Sequence, residues 1–183
     1  MRRSYIWVFL CLVLCACATM PTGKEVKIEA YPNKPDLVVY EYCTADAYGA
    51  RLSTGTVQSI SRYCAASNTL EVKTDKILVI DEFKLEKTEV LEDYATVQVK
   101  YKYLVVLKPL AQDSLNDKIK AMPNYVNFIL SRENGLWKIT SAPPEPCVYK
   151  ETALSFIDSL SNTVSDEQKV KLQYLGYELK DIN

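Results

Sequence analysis

The residues of this chain whose chemistry is easiest to specify are its six cysteines. Three of them, Cys11, Cys15 and Cys17, lie near the N-terminus in the stretch MRRSYIWVFLCLVLCACATM. Cysteine thiolates bind zinc, but a structural zinc site needs four ligands, and the neighbours of these cysteines are almost all apolar. The surroundings therefore disfavour a metal site and point to a segment that meets a membrane.

The same stretch has the proportions of a secretory signal peptide. Arg2 and Arg3 supply a positive start, and an uncharged apolar run extends from Tyr5 to Leu14. This run is shorter than the ~20 residues that a membrane-spanning helix needs. The small residue Ala16, directly before Cys17, provides a cleavage site. A retained single-span anchor is the alternative interpretation.

Leu14, Cys15, Ala16 and Cys17 resemble the lipobox of bacterial lipoproteins, in which a leucine, a small residue and an alanine or glycine precede the lipidated cysteine. The resemblance implies that residues 1–16 are removed as a signal peptide. It also implies that Cys17 carries diacylglycerol on its thiol and an acyl chain such as palmitate on its amine. Cleavage before Cys15 fits less well, because it puts the bulky Leu14 at the cut site.

The lipoprotein resemblance also implies where the chain resides. More than one acyl chain is needed for stable anchoring, since each buried methylene contributes only ~0.8 kcal/mol. Gram-negative lipoproteins that stay in the inner membrane commonly have Asp after the lipidated cysteine. This chain has Ala18 there, which implies the outer membrane, facing the periplasm. Residues 17–35 are predicted to be a lipidated N-terminus and flexible tether, rich in Pro and without a periodic apolar face.

The remaining cysteines are Cys43, Cys64 and Cys147, and an exported chain brings them into an oxidising compartment. Three cysteines allow at most one internal pair. Cys43 and Cys64 are nearest in sequence, so they are the candidate disulfide, which would stabilise the fold by roughly 3 kcal/mol. Three buried free thiols are the alternative.

Histidine is absent, which removes the commonest general base and the commonest transition-metal ligand. The formal net charge is -1, and no cluster of Lys and Arg favours nucleic acid. The five glycines form no phosphate-binding loop. The carboxylate pairs Asp81–Glu82 and Glu92–Asp93 are expected on a solvated turn or edge, because adjacent strand residues point to opposite faces. The sequence therefore predicts no catalytic set, no metal site and no cofactor.

Hydrophobic spacing predicts two N-terminal helices followed by strands. The first helix begins near Pro35, and the second begins at about Thr56. The period changes to two from Leu70, and this alternation is clearest from Tyr94 to Leu107. The second strand is predicted to have one apolar face, formed by Ala95, Val97, Val99, Tyr101, Tyr103, Val105 and Leu107.

A hairpin and a helical pair are predicted in the C-terminal part, after an interruption at residues 109–124. Asn134–Gly135 supplies the positive φ values of a tight turn between two strands. The prolines at 143–146 are predicted to end the sheet, since proline cannot donate to the ladder. Two amphipathic helices follow, joined near a capping box at Ser165 and Gln168. Their apolar stripes comprise Ala153, Leu154, Ile157, Leu160 and Val164, and then Val170, Leu172, Leu175 and Leu179.

The body resembles the nuclear-transport-factor-two-like superfamily in three stretches: PDLVVYEYCTADAYGARL, ATVQVKYKYLVV and NYVNFILSRENGLWKITS. The resemblance covers roughly residues 36–142. It implies an α+β fold in which N-terminal helices pack on a curved antiparallel sheet, a cone. The domain is placed at residues 36–146, with residues 147–183 as an appended helical hairpin. The resemblance also makes Tyr101 and Tyr103 candidates to line a cavity.

Two functions are consistent with these observations. The first is a membrane-anchored envelope lipoprotein that binds a protein partner or a small apolar ligand without catalysis. The second is an enzyme of the isomerase or dehydratase type. It would use Tyr101 or Tyr103 as acid in the cone, with a carboxylate base that the sequence does not locate. Superfamily enzymes use Asp, His or Tyr inside the cone, and the lack of histidine favours the first function.

Overall fold

The computed structural model describes residues 34–67, 75–109 and 124–182. Cys17, the predicted signal peptide, nearly all of the predicted tether and most of the segment 109–124 lie outside these residues. In chain order the elements are α1 (Pro35–Ala47), α2 (Thr54–Ser61), β1 (Ile77–Leu91), β2 (Tyr94–Leu107), β3 (Tyr125–Glu133), β4 (Leu136–Ser141), β5 (Cys147–Tyr149), α3 (Lys150–Ser161) and α4 (Asp166–Asp181).

The described strands form one curled, half-barrel sheet in the order β4-β3-β2-β1-β5. The predicted α+β class is confirmed. The prediction of a purely antiparallel sheet that ends at the prolines is wrong, because β5 follows them and pairs with β1 in parallel. Proline lacks only the donor: the Pro146 carbonyl still accepts a hydrogen bond of 2.9 Å from the Leu78 amide and starts this pairing.

Two tight turns lie next to each other at one end of the sheet. The predicted turn at Asn134 and Gly135 is confirmed, with φ values of 53° and 80°. The β1–β2 turn contains Glu92, which also has a positive φ of 53°. The two turns are neighbours because the Arg132 amide donates to the Asp93 carbonyl at 2.9 Å.

The sheet has an inner face, covered by α1, and an outer face on the opposite side. Residues of β2 from Ala95 to Tyr101 alternate onto the inner face as predicted, but Val105 and Leu107 pack on the outer face. The single predicted apolar face is therefore wrong beyond Tyr103. Val79 pairs with Val105 and Ile80 with Tyr103, so Leu104 is an extra residue, a β-bulge. One extra residue moves every later side chain to the other face.

The inner core holds α1 against the sheet. The helix buries Val38, Val39 and Tyr42, and the Tyr42 ring meets Phe128 of β3 edge-on at 5.6 Å between centroids. The helix begins at Pro35, as predicted, which is also the last residue of the predicted tether. Buried Ile60 of α2 joins the same core.

The outer core lies under α3 and α4, at the β5 end of the sheet. It joins Ile77, Val79, Val105, Leu107 and Val148 to the apolar faces of the two helices. Two C-terminal helices occur where the hairpin is predicted, and the Ser165–Gln168 capping box is present at the start of the second. Val170 is exposed, contrary to its predicted place in the buried stripe, because it is two residues before Leu172 and so on the far side of the helix. Among the described helices, none combines the length and apolarity needed to cross a membrane.

Candidate functional site

Tyr101 and Tyr103 lie on the inner face of β2, as predicted. Tyr101 is fully buried, and its Oη is 3.2 Å from the Sγ of Cys43. Tyr103 is half-buried and stacks on Tyr101, with 5.7 Å between ring centroids and planes 21° apart. Burial raises the pKa of both phenols, so both stay protonated at neutral pH. The neighbour of the Tyr101 hydroxyl is thus the Cys43 thiol. That Tyr101 and Tyr103 line a cavity stays a prediction.

The three cysteines of the body are buried and free. The structure contains no bond between Cys43 and Cys64, the candidate pair, and a disulfide between them in an oxidising compartment stays a prediction. Burial raises the pKa of Cys43 to about 12 and that of Cys64 to about 11, and it also raises the pKa of Cys147. Because the thiolate is the reactive form, these thiols are poor nucleophiles in the folded chain.

A buried ion pair between Arg51 and Asp46 is the main polar feature of the interior. The Nε of Arg51 donates to Oδ1 of Asp46 at 2.8 Å, and Nη2 donates to Oδ2 at 2.7 Å. Both side chains are almost completely buried. Burial alone lowers the pKa of Arg51, but the Asp46 carboxylate and its hydrogen bonds outweigh burial and raise it above its ordinary value.

The remaining guanidinium N–H groups donate hydrogen bonds to backbone carbonyls of the segment just before β5. Nη1 of Arg51 donates to the carbonyls of Pro143 at 2.8 Å and Pro144 at 3.3 Å, and Nη2 donates to that of Glu145 at 2.7 Å. On the other side of the pair, Oδ2 of Asp46 accepts a hydrogen bond of 2.9 Å from the Cys147 amide. All five N–H groups of Arg51 are thus used, and the ion pair fastens α1 to the proline segment and β5.

The turn after α1 brings Arg51 back onto Asp46. Gly49 in this turn has φ 87°, a conformation that side chains rarely adopt. A Cβ at Gly49 would also lie 3.0 Å from Cγ2 of Thr152 in α3. The sequence does not predict this ion pair, because a separation of five residues is not a helical contact spacing and the carbonyl partners are more than 90 residues away. The one available signal in the sequence is Gly49, which interrupts the helical spacing of the apolar residues before it.

Tyr42 is buried next to the Arg51–Asp46 ion pair. Its ring lies below the Arg51 guanidinium, 5.7 Å from centroid to Cζ, and its hydroxyl is buried without a hydrogen-bond partner among the described residues. Burial raises the pKa of Tyr42 as well. A phenol that stays protonated can donate a hydrogen bond, but it cannot act as a general base.

The exposed carboxylate pairs lie where the sequence predicts. Asp81 and Glu82 are at an exposed bulge of β1, where Asp81 forms an ion pair with Lys102 at 2.5 Å. Glu92 and Asp93 form the exposed β1–β2 turn. Within residues 34–67, 75–109 and 124–182, no group of three Cys, Asp or Glu side chains is arranged to hold a metal ion.

The buried polar groups of the interior have a structural role. Its carboxylate is held by Arg51, its thiols and phenols are held protonated, and the ion pair joins distant parts of the chain. Comparisons of the chain with protein-family models, with curated proteins and with solved structures find no match.

Proposed function

We propose that this chain is an exported lipoprotein, acylated at Cys17, whose α+β body binds a protein partner or a small apolar ligand at the cell envelope. The observation that carries the proposal is the N-terminal sequence. Arg2 and Arg3, the short apolar run and Leu14-Cys15-Ala16-Cys17 occur in the order that lipoprotein processing requires. Because Ala18 and not Asp follows Cys17, the proposed location is the outer membrane, on the side that faces the periplasm.

The body supports a binding role by how it uses its ionisable groups. The hydrogen bonds of the Arg51–Asp46 pair join α1 to the segment before β5. The Tyr101 hydroxyl contacts the Cys43 thiol and not a carboxylate. An acid–base enzyme needs a proton donor and an acceptor that face a substrate. A binding module needs only a stable scaffold and an exposed surface, and this chain offers both.

We also propose that the body is a cone of the nuclear-transport-factor-two-like type. Helix α1 on the inner face of a curled sheet and the two consecutive hairpins favour that assignment. Strand β5 and the pair α3–α4 on the outer face are additions to the arrangement that the resemblance implies. Because folds of this type serve many activities, the assignment leaves the ligand open.

Localisation with matched cysteine variants tests the proposal. Wild-type protein and Cys15→Ser are expected in the outer-membrane fraction and soluble only in detergent. Cys17→Ser is expected to leave that fraction or to retain its signal peptide, because it lacks the thiol that accepts diacylglycerol. If Cys17→Ser fractionates and migrates like the wild-type protein, the proposal is wrong.

A further inference from the structure

An apolar patch is exposed on the outer face of the sheet, at the end that carries the two tight turns. It consists of Leu91, Tyr94 and Ile129, which are 76%, 65% and 46% exposed. Leu91 is directly opposite Tyr94, and Ile129 is opposite Thr96, the next residue of β2 on the same face. Directly opposite and diagonal neighbours on one face are close enough for such side chains to touch. We call these three residues the outer patch.

Helices α3 and α4 cover the outer face only at the β5 end of the sheet. The outer core they form contains Val79 and Val105 but no residue of the outer patch. Between the outer core and the patch, the same face carries the charged residues Lys84, Lys100 and Lys102. The patch is thus a separate apolar surface and not the margin of the outer core.

The outer patch has an acidic rim. Glu92 and Asp93 form the adjacent turn, and Glu133 ends the neighbouring strand. None of these three carboxylates forms an ion pair with a described residue.

The basic residues nearest the rim have other partners. Lys87 pairs with Glu89, Arg132 lies over the Trp137 ring at 4.8 Å, and Lys138 donates to the Arg62 carbonyl. The rim therefore presents three carboxylates, none in an ion pair with a described residue, beside the exposed apolar side chains.

We propose that the outer patch and its acidic rim form the docking surface for a protein partner that presents apolar side chains flanked by lysine or arginine. The inference rests on the proposed binding function and assigns it a place. Complementary charge steers association and suppresses wrong partners. A second copy of this chain would bring two acidic rims together, and anionic lipid headgroups would meet the same repulsion. The charge therefore selects a basic protein surface from the three candidate occupants.

Peptide binding to the full-length protein in nonionic detergent tests the proposal. The probes are two labelled peptides of equal length, one alternating lysine with leucine and the other alternating glutamate with leucine. Fluorescence anisotropy is expected to show binding of the lysine peptide only, weakening as salt is raised. Leu91→Ser combined with Tyr94→Ser is expected to abolish it. Glu92→Lys combined with Asp93→Lys is expected to weaken it by about tenfold or more.

The matched control uses apolar residues that are as exposed but lie on α4. Val170→Ser combined with Tyr177→Ser is expected to leave binding unchanged. All these positions are exposed, so thermal unfolding should show that every variant folds. The proposal is overturned by equal binding of the glutamate peptide, by no binding of the lysine peptide, or by α4 variants that match the patch variants. Dimerisation or vesicle binding that requires Leu91 overturns it too.

Failure of this inference can be distinguished from failure of the proposed function. An acylated chain whose patch variants bind like the wild-type protein contradicts the docking surface alone. A chain that lacks acylation at Cys17 contradicts the proposed function, whatever the peptide titration shows.

Discussion

Arg51 and Asp46 form a two-pronged ion pair in the protein interior, with N–O distances of 2.8 and 2.7 Å. The pair bonds to both sides of a long chain connection, since Arg51 holds the carbonyls at 143–145 and Asp46 holds the Cys147 amide. It thus sets the position of β5 against α1, and through β5 the start of α3. Loss of one partner leaves a buried charge without compensation.

Breaking this ion pair is expected to be among the most damaging single changes to the fold. Arg51→Met should lower the free energy of unfolding by about 3–5 kcal/mol, measured by urea denaturation. Arg51→Lys should recover little, because an ammonium group cannot make the two-pronged contact. The control is Lys76→Ala, which removes a partly exposed pair with Glu145 and should cost no more than about 1 kcal/mol. Equal effects at the two pairs would refute this role.

The contact between Tyr101 and Cys43 predicts a difference between the two inner tyrosines. Tyr101→Phe removes the Oη–Sγ contact and should lower the free energy of unfolding by about 0.5–1.5 kcal/mol. Tyr103→Phe should cost less, because Tyr103 is only half-buried and contributes mainly its ring. Urea unfolding of both variants measures the difference. A larger loss for Tyr103→Phe would contradict this assignment.

The buried thiol of Cys43 predicts how stability depends on pH. An unfolded cysteine ionises near ~8.5, whereas burial raises the pKa of Cys43 to about 12. The unfolded chain therefore loses this proton first. The contribution of Cys43 is fully present below the unfolded pKa and is lost as the pH rises toward 12. Cys43→Ala should show a shallower decline in the free energy of unfolding over this range, and a parallel decline would show that the thiol is not responsible.

The β1–β2 turn predicts a stabilising substitution. Glu92 has φ 53°, where glycine and asparagine are favoured. Glu92→Asn should raise the melting temperature, with a gain of about 0.5–1 kcal/mol in the free energy of unfolding. The matched change is Gly135→Ala in the neighbouring turn, where φ is 80° and the same argument predicts a loss. Shifts in the same direction for both variants would contradict the argument.

The outer core predicts that α4 contributes to the stability of the whole body. Leu172 is fully buried there, so Leu172→Ala should cost about 2–5 kcal/mol. Val170→Ala on the exposed side should cost little. Circular dichroism should show one unfolding transition in both variants, because α4 shares its core with β1 and β2. Two separate transitions would indicate that the helical pair is an independent unit.

Local rules predicted much of this fold. Strand β2 begins and ends at Tyr94 and Leu107 as expected, because alternation is a local signal. The turn at Asn134–Gly135 follows from backbone preferences alone. The helical hairpin and its capping box are equally local features.

Features that depend on pairing between distant segments were missed. The bulge at Leu104 is defined only by its partners in β1, so the sequence pattern continues across it without a break. Strand β5 has three residues, and only its partner β1 makes it a strand. The Arg51–Asp46 pair likewise gains its meaning from carbonyls far along the chain. The outer patch was missed because Leu91, Tyr94 and Ile129 belong to three different strands, whose pairing brings them together. The sequence predicts Glu92 and Asp93 only as part of a solvated turn or edge.

The most direct test of the account is the intact mass of the protein extracted from membranes. The account predicts a chain that begins at Cys17 and carries the added mass of diacylglycerol and an amide-linked acyl chain. A mature chain that begins at another residue without lipid, or one that retains residues 1–16, would contradict it.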